Sequence, residues 1–192
     1  PRLIVKQEFD KLNGTFSLHI EQLAPLNQPE NAPLHIPFAI ELLNQQGESV
    51  SLQFEGQPLD HVLDVTTAQQ TFSFDGLTAK PVAVLLEDFS APCIVEQQNT
   101  ATELLHIMRF ARSDFSRWDA QQQLFIGAVK GAIITPENNQ LDPAIITALR
   151  SLLVDQEGDL ALIAELLKLP SFDTLAAEFN VIPVDQLVAA TA

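Results

Sequence analysis

The sequence has 192 residues, and its 25 acidic against 10 basic side chains give a formal charge of −15. An apolar share of 46% is typical of a globular protein, and the excess of negative charge disfavours nucleic acid and anionic membranes as partners. The single cysteine, Cys93, excludes a disulfide scaffold, and no apolar run is long enough to span a membrane.

The first half of the sequence shows the two-residue period of β-strands. Residues 15–22 alternate most cleanly, with Phe16, Leu18 and Ile20 on one face, which predicts a strand with one buried side. Six further strands are predicted at residues 3–9, 36–43, 50–54, 70–74, 82–86 and 93–96. Turn residues separate these runs, as in the Asn13 and Gly14 pair. Seven short strands of this kind indicate a β-sandwich.

The second half changes to the 3.6-residue period of helices. Thr100 followed by Glu103 predicts a capping box at the first helix, and Ser116 followed by Asp119 predicts a similar cap at the second. Four further helices are predicted to begin at a capping residue or a proline, namely Asp142, Asp159, Ser171 and Pro183. We expect the fourth and fifth helices to end at Leu169 and Phe179. Short helices in series predict a stacked, solenoid-like array.

These two patterns predict two domains, a β-sandwich over residues 1–95 and an α-helical array over residues 96–192. The predicted fold class is therefore α+β, with the two kinds of structure segregated along the chain. The sequence begins in a strand-like run without a methionine and stops in an apolar, helix-like stretch. We therefore expect it to be a segment of a longer polypeptide, with the helical array truncated.

No catalytic, cofactor-binding or metal-binding residue is predicted. A zinc hydrolase of the His-Glu-x-x-His type needs two histidines one helical turn apart, with a glutamate to activate water. The four histidines lie at least 16 residues apart, and they are His19, His35, His61 and His106. We expect them to be ordinary surface or hydrogen-bonding residues, and Cys93 to be a buried, inert thiol.

Acidic side chains also carry no clear signal of catalysis. The Glu87 and Asp88 pair and the acidic residues of 155–157 are each expected to be solvated charge where a strand or helix ends. The most distinctive string covers residues 114–119 (DFSRWD). We interpret it as a helix N-terminus, with Trp118 packed inward and Arg117 bridging carboxylates.

Several segments together resemble bacterial aminopeptidase N (alanyl aminopeptidase), a zinc-dependent gluzincin family. They occur in the family's order and cover nearly the whole chain: the opening PRLIV with Phe9 and Asp10, then PLHIPFAIEL (33–42), QTFSFD (70–75), residues 81–92 and DFSRWDA (114–120). The resemblance implies the family's third domain, an immunoglobulin-like sandwich, followed by the first part of its C-terminal helical domain.

The resemblance also implies a function. The parent enzyme would remove N-terminal residues from peptides, with zinc held by a catalytic domain of the same polypeptide. The family's His-Glu-x-x-His and Gly-x-Met-Glu-Asn motifs are absent from this sequence, so no family site residue is assigned here and the chain alone is expected to be inactive, without a cofactor of its own.

Within such a parent we expect the sandwich to be a spacer and the helices to form part of the wall over the active site. Peptides would be the parent's substrates, and a cytoplasmic location is expected. The alternative is a stand-alone protein-binding module made of the sandwich and the helical array.

Overall fold

The computed structural model describes residues 1–23, 32–54, 57–58, 61–135, 141–154 and 159–191. They fall into two compact units, Pro1–Ser116 and Arg117–Ala192. The strands lie in the first unit and are β1 (Arg2–Asp10), β2 (Thr15–Leu23), β3 (Ile36–Leu43), β4 (Gln53–Phe54), β5 (Gln57–Pro58), β6 (Val62–Val65), β7 (Gln69–Phe74), β8 (Val82–Leu85) and β9 (Ile94–Glu96).

A four-stranded sheet with the order β7-β2-β1-β9 forms one layer of the first unit. Its centre is a regular antiparallel hairpin whose register runs from Arg2 opposite Leu23 to Asp10 opposite Thr15. Strand β7 extends the sheet antiparallel to β2, and β9 extends it parallel to β1. The predicted burial of one face of β2 is confirmed, because Phe16, Leu18 and Ile20 are buried.

A three-stranded antiparallel sheet with the order β6-β3-β8 forms the second layer. Both sheets contribute to one hydrophobic core, in which Leu3 and Phe16 from the first sheet join Phe38, Leu63 and Ala83 from the second. The buried core therefore lies between two sheets, and the predicted β-sandwich is confirmed.

Two features of the strand prediction were wrong. Residues 50–54 were expected to form one strand, but only Gln53–Phe54 is extended and paired. The Val50 N–H instead donates to the Leu42 carbonyl at 2.8 Å, so the chain folds back against the end of β3. Val62–Val65 was not predicted, yet it pairs with β3 over four residues.

Two helices follow the strands, α1 (Ala101–Phe110) and α2 (Asp114–Ile134). The capping box of α1 is confirmed, since the Thr100 hydroxyl accepts from the Glu103 N–H and the Glu103 carboxylate accepts from the Thr100 N–H. The cap predicted at Ser116 was wrong. Helix α2 begins three residues earlier, and the Ser113 hydroxyl accepts a hydrogen bond from the Ser116 N–H at 3.2 Å.

The second unit continues with four more helices, α3 (Pro143–Val154), α4 (Leu160–Leu166), α5 (Phe172–Ala176) and α6 (Val184–Thr191). Their predicted caps are confirmed, because Asp142, Asp159 and Ser171 each accept a backbone N–H of the first helical turn. The segregated α+β class, with a sandwich followed by a helical array, is confirmed.

Both α4 and α5 end three residues before their predicted ends. After α4, the Lys168 N–H bonds to the carbonyl three residues back, and the residue before Pro170 is disfavoured in helical geometry. After α5, the N–H groups of Glu178 and Phe179 also bond three residues back. The tighter bonding pattern ends each α-helix early.

Helices of the second unit pack around a small cluster formed by Val129, Leu175, Ala176 and Leu187. Val129 comes from α2, Leu175 and Ala176 come from α5, and Leu187 comes from α6, so the cluster joins helices that are distant in the sequence. Of the helices described, none combines the length and the hydrophobicity needed to cross a membrane.

Candidate functional site

Two glutamates of the first unit are almost completely buried, Glu41 at 1% exposure and Glu87 at 4%. Glu41 lies on β3, and Glu87 opens a single 3-10 turn, Glu87–Phe89, just after β8. A buried carboxylate is costly unless charged or polar partners replace the water that it has lost. Both glutamates therefore require charged or hydrogen-bonding partners within the fold.

Arg112, in the connection between α1 and α2, reaches both glutamates. Its guanidinium forms a bidentate pair with Glu87, with Nε to Oε1 at 2.8 Å and Nη2 to Oε2 at 2.7 Å. Its backbone N–H donates to Glu41 Oε2 at 3.0 Å, while the Ser49 hydroxyl donates to the other oxygen of Glu41. The hydrogen bonds to Glu87 raise the pKa of Arg112 further above its ordinary range, so its positive charge is permanent.

Ser113 extends this arrangement to the start of α2. Its hydroxyl donates to Asp88 Oδ1 at 2.6 Å and accepts from the Asp88 N–H at 3.3 Å. The same oxygen accepts the Ser116 N–H that begins the helix. We call Glu41, Glu87, Asp88, Arg112 and Ser113 the Arg112 network. It fixes the connection between α1 and α2 to the end of β8 and to β3.

The backbone beside this network is strained. Leu86, Asp88 and Phe89 have φ values of 57°, 51° and 54°, in the left-handed region that glycine normally occupies. Each such residue costs about 1–2 kcal/mol, so the neighbouring contacts must over-determine the geometry. The paired carboxylates of the Arg112 network supply those contacts. The arrangement can hold one conformation firmly, because each of its carboxylates is paired with a donor of the α1–α2 connection.

Helix α1 has a second attachment to the sandwich. His106 Nε2 lies 2.8 Å from the Asn44 carbonyl oxygen, which accepts its hydrogen. Gly47, in the turn after β3, has a φ of +85°, and a Cβ atom there would lie 2.2 Å from the ring of Phe110. The turn must therefore carry glycine for the last residue of α1 to pack against it.

The four histidines occupy separate places in the first unit. His19 on β2 hydrogen-bonds to Thr71 at 2.9 Å, and His35 contacts Asp64 at 2.6 Å. His61 Nε2 lies 3.4 Å from Arg112 Nη1, and His106 binds the turn after β3. Within the described part of the chain, no three His, Cys, Asp or Glu side chains are grouped as metal ligands would be.

Three further predictions from the sequence concern Cys93, Glu87 and Trp118. Cys93 is buried, and burial raises the pKa of its thiol, in keeping with an inert residue. The expectation of solvated charge at Glu87 was wrong, because this carboxylate is buried and paired. Trp118 was expected to pack inward, yet 36% of its surface is exposed. Residues 155–157 lie outside the described residues.

Sequence reasoning missed Arg112 and Glu41 as partners. They are 71 residues apart, and no local spacing connects them. One signal was available, since Glu41 is the single charged residue within the apolar run of β3. A lone carboxylate in a strand that is buried on both faces needs a distant cation or several donors.

Comparisons with known proteins cover both halves of the chain. A family model described as a domain of unknown function (DUF3458) with an Ig-like fold matches residues 1–98. A second model, DUF3458_C, described as ARM repeats, matches residues 101–192. Both descriptions agree with the sandwich and the helical array seen in the structure.

Two curated relatives carry the same name. Aminopeptidase N of Escherichia coli is 41% identical over 187 residues, which cover 95% of this chain and 22% of that protein. Aminopeptidase N of Haemophilus influenzae is 34% identical over 197 residues, which cover the whole chain and 23% of that protein. The chain therefore spans less than a quarter of the length of these relatives.

A solved structure supports the fold. The crystal structure of Legionella pneumophila aminopeptidase A in complex with aspartic acid matches 99% of this chain and 21% of that chain, with a TM-score of 0.81 and 24% sequence identity. The arrangement of elements described above thus recurs as one part of a much longer polypeptide.

Proposed function

Because this chain belongs to the DUF3458 family and is homologous to one segment of aminopeptidase N, we propose that it is a non-catalytic portion of a zinc-dependent aminopeptidase. One observation carries this proposal. Identity of 41% extends over 95% of the chain but accounts for only 22% of the Escherichia coli relative. The chemistry of the parent, removal of N-terminal residues from peptides, would then be carried out by a different part of the polypeptide.

The sandwich is proposed to act as a spacer. A spacer must transmit a fixed geometry from the segment before it to the segment after it. The continuous core between the two sheets supports this role, because it resists deformation. The Arg112 network supports it further, since it fixes the start of α2 to the sandwich through charged hydrogen bonds.

The helices are proposed to form part of a wall over the active site of the parent enzyme. Helical arrays stack short elements into extended surfaces, and such surfaces can limit which substrates reach a cavity. The series of short helices from α3 to α6 and the match to a family model described as ARM repeats support this role.

The partner in this proposal is the catalytic domain of the same polypeptide, which would hold the zinc and bind the peptide substrates. Among the described residues, no group of histidine and carboxylate side chains is placed to hold a metal ion, and no catalytic step is assigned to them. A cytoplasmic location belongs to the same proposal.

Two chimaeras test the proposed wall role of the helices separately from the proposal that the chain is part of an aminopeptidase. The matching segment of the Escherichia coli aminopeptidase N is replaced by this chain, and a second chimaera lacks residues 117–192. We expect the first to hydrolyse an alanyl chromogenic substrate at a rate close to that of the parent. We expect the second to favour long peptides over that small substrate more strongly than the first does. If the ratio of the rate on long peptides to the rate on the alanyl substrate is the same in both chimaeras, the proposed wall role of the helices is contradicted.

A further inference from the structure

The turn between β1 and β2 contains the one Asn-Gly pair of the sequence, Asn13 and Gly14. Gly14 has a φ of +66°, and a Cβ atom at this position would lie 2.7 Å from the Leu77 carbonyl oxygen. The Leu77 N–H also donates to the Gly14 carbonyl at 2.9 Å. The fold therefore requires glycine at position 14, both for its backbone angle and for this close approach.

The same glycine makes the preceding asparagine chemically labile. A peptide nitrogen can attack the side-chain amide of the residue before it, and glycine hinders this attack least because it has no Cβ. Asn13 is exposed, so water and base have access to the amide. The position that the hairpin reserves for glycine is thus also the position most favourable for cyclisation.

We propose that Asn13 is a site of spontaneous deamidation in the folded protein, independently of the function proposed above. Base removes the Gly14 amide proton, the Gly14 nitrogen forms a bond to Asn13 Cγ, and the bond from Cγ to Nδ2 breaks. The side-chain nitrogen takes up a proton and leaves as ammonia. One water molecule then opens the succinimide at either carbonyl, which gives aspartate or isoaspartate without any change in oxidation state.

Asp10 controls how readily the amide can react. Its Oδ2 accepts a hydrogen bond from Asn13 Nδ2 at 2.6 Å, and its Oδ1 accepts the backbone N–H groups of Leu12 and Asn13 at 2.9 and 3.3 Å. These bonds hold the asparagine side chain in place, so Asp10 slows the attack. Once the amide becomes a carboxylate, the donor at 2.6 Å is lost and two negative charges lie side by side.

The product alters the end of the hairpin. Isoaspartate adds a methylene group to the main chain, next to the pairs of Asp10 with Thr15 and of Phe9 with Phe16. Those pairs depend on a fixed loop length, as hairpin register does in general. We therefore expect the deamidated protein to lose amide protection at this end of β1 and β2, while the far end of the hairpin keeps it.

Peptide mapping by mass spectrometry tests the proposal. The native chain is incubated at physiological temperature and slightly alkaline pH in water enriched in oxygen-18, and each asparagine-containing peptide is followed. We expect Asn13 to convert first and mainly to isoaspartate, ahead of Asn44, Asn99 and Asn180, which precede larger residues. Asn13→Gln should abolish the early label, because its longer side chain closes the ring far more slowly.

The Asp10→Ala variant and a denatured sample of the parent chain test how the folded structure affects deamidation of Asn13. Asp10→Ala should shorten the half-time at Asn13 severalfold in the native chain and leave it unchanged in urea, where no hydrogen bond holds the amide. A native chain in which Asn13 stays intact while the denatured chain converts would overturn the proposal, and so would earlier conversion of another asparagine. An equal half-time in Asp10→Ala and the parent would overturn the protective role of Asp10.

Discussion

The two units bury their apolar side chains to different extents. Among the described residues of the sandwich, one cluster of eighteen buried side chains lies between two sheets, with Phe16 and Phe38 fully enclosed. In the described part of the helical unit, Leu166 and Leu187 are fully buried, whereas large apolar side chains such as Leu160 and Val181 are 77% and 84% exposed. Facing sheets close a core between themselves, whereas stacked helices bury a face only where a neighbour covers it.

The largest expected effect comes from the core of the sandwich. Phe38→Ala removes a fully buried ring and should lower the free energy of unfolding by about 3–5 kcal/mol. The exposed Leu160→Ala in the helical unit should change it by less than about 0.5 kcal/mol. Hydrogen exchange should show Phe38→Ala losing protection in β1 to β8 while α3 to α6 keep theirs. Equal loss of amide protection in both units would show that the core of the sandwich is not stable independently of the helical unit.

The next largest effect concerns the hydrogen bonds that attach the connection between α1 and α2 to the sandwich, all within the first unit. Arg112→Ala removes both guanidinium hydrogen bonds to the buried Glu87 and keeps the backbone N–H that binds Glu41, so it should cost about 2 kcal/mol in unfolding experiments. Arg112→Lys keeps the charge without the bidentate geometry and should fall between this variant and the parent. Arg109→Ala removes an exposed guanidinium 5.0 Å above the Phe110 ring and should cost about 0.5 kcal/mol. Equal costs at the two arginines would contradict the importance of the buried network.

Gly47 and Gly76 test the packing of α1 against the sandwich. Gly47→Ala forces a Cβ atom into the Phe110 ring, in addition to its strained φ, and should cost about 2–3 kcal/mol. Gly76→Ala is the matched control, because its φ is +80° and no atom lies within 4 Å of the added Cβ. It should cost about 1 kcal/mol. Thermal unfolding of both variants and of the double variant Gly47→Ala with Phe110→Ala measures the difference. If the cost of the double variant equals the sum of the costs of Gly47→Ala and Phe110→Ala, the added Cβ atom does not clash with the Phe110 ring.

The smallest effect lies at the start of α1. Burial opposes ionisation of Glu103, but hydrogen bonds from Thr100 and Lys80 outweigh it and hold the pKa of its carboxyl below the usual value. A lowered pKa in the folded state gives stability above the ordinary glutamate pKa of about 4.3, and this stability is lost as the pH falls through the folded-state pKa.

Glu103→Gln should therefore be about 1 kcal/mol less stable than the parent at neutral pH, with the gap closing in acid. A pH series of urea unfolding curves measures this gap. The exposed Glu165→Gln is the matched control and should show a much smaller change with pH. A gap that stays constant down to the acid range would contradict the role of the Glu103 charge.

Local regularities in the sequence predicted most of the fold. The alternation at Phe16, Leu18 and Ile20 marked β2, and the caps at Thr100, Asp142 and Asp159 marked helix starts, because each depends on neighbours a few residues away. Val62–Val65 escaped prediction because Val62 is apolar although it lies on the exposed face, which breaks the alternation of polar and apolar residues. The cap of α2 was misplaced because Ser113 and Ser116 are residues of the same capping type three positions apart, and in the structure the Ser113 hydroxyl accepts the Ser116 N–H while it also donates to Asp88.

The Arg112 network could not be predicted from local spacing. Arg112 is 25 residues from Glu87 and 71 from Glu41, so their contact depends on how β3, β8 and α1 pack. Left-handed backbone at Leu86 and Phe89 was equally hidden, since bulky residues disfavour it and only tertiary contacts impose it. Sequence resemblance, by contrast, identified the family directly, because ordered matches do not depend on knowing which residues touch.

The central claim is that this chain is the non-catalytic part of an aminopeptidase. Its most direct test is to measure bound zinc and hydrolysis of an alanyl chromogenic substrate by the purified chain, with and without a chelator. We expect no stoichiometric zinc and no hydrolysis above the buffer rate. Stoichiometric zinc together with hydrolysis that the chelator abolishes would contradict it.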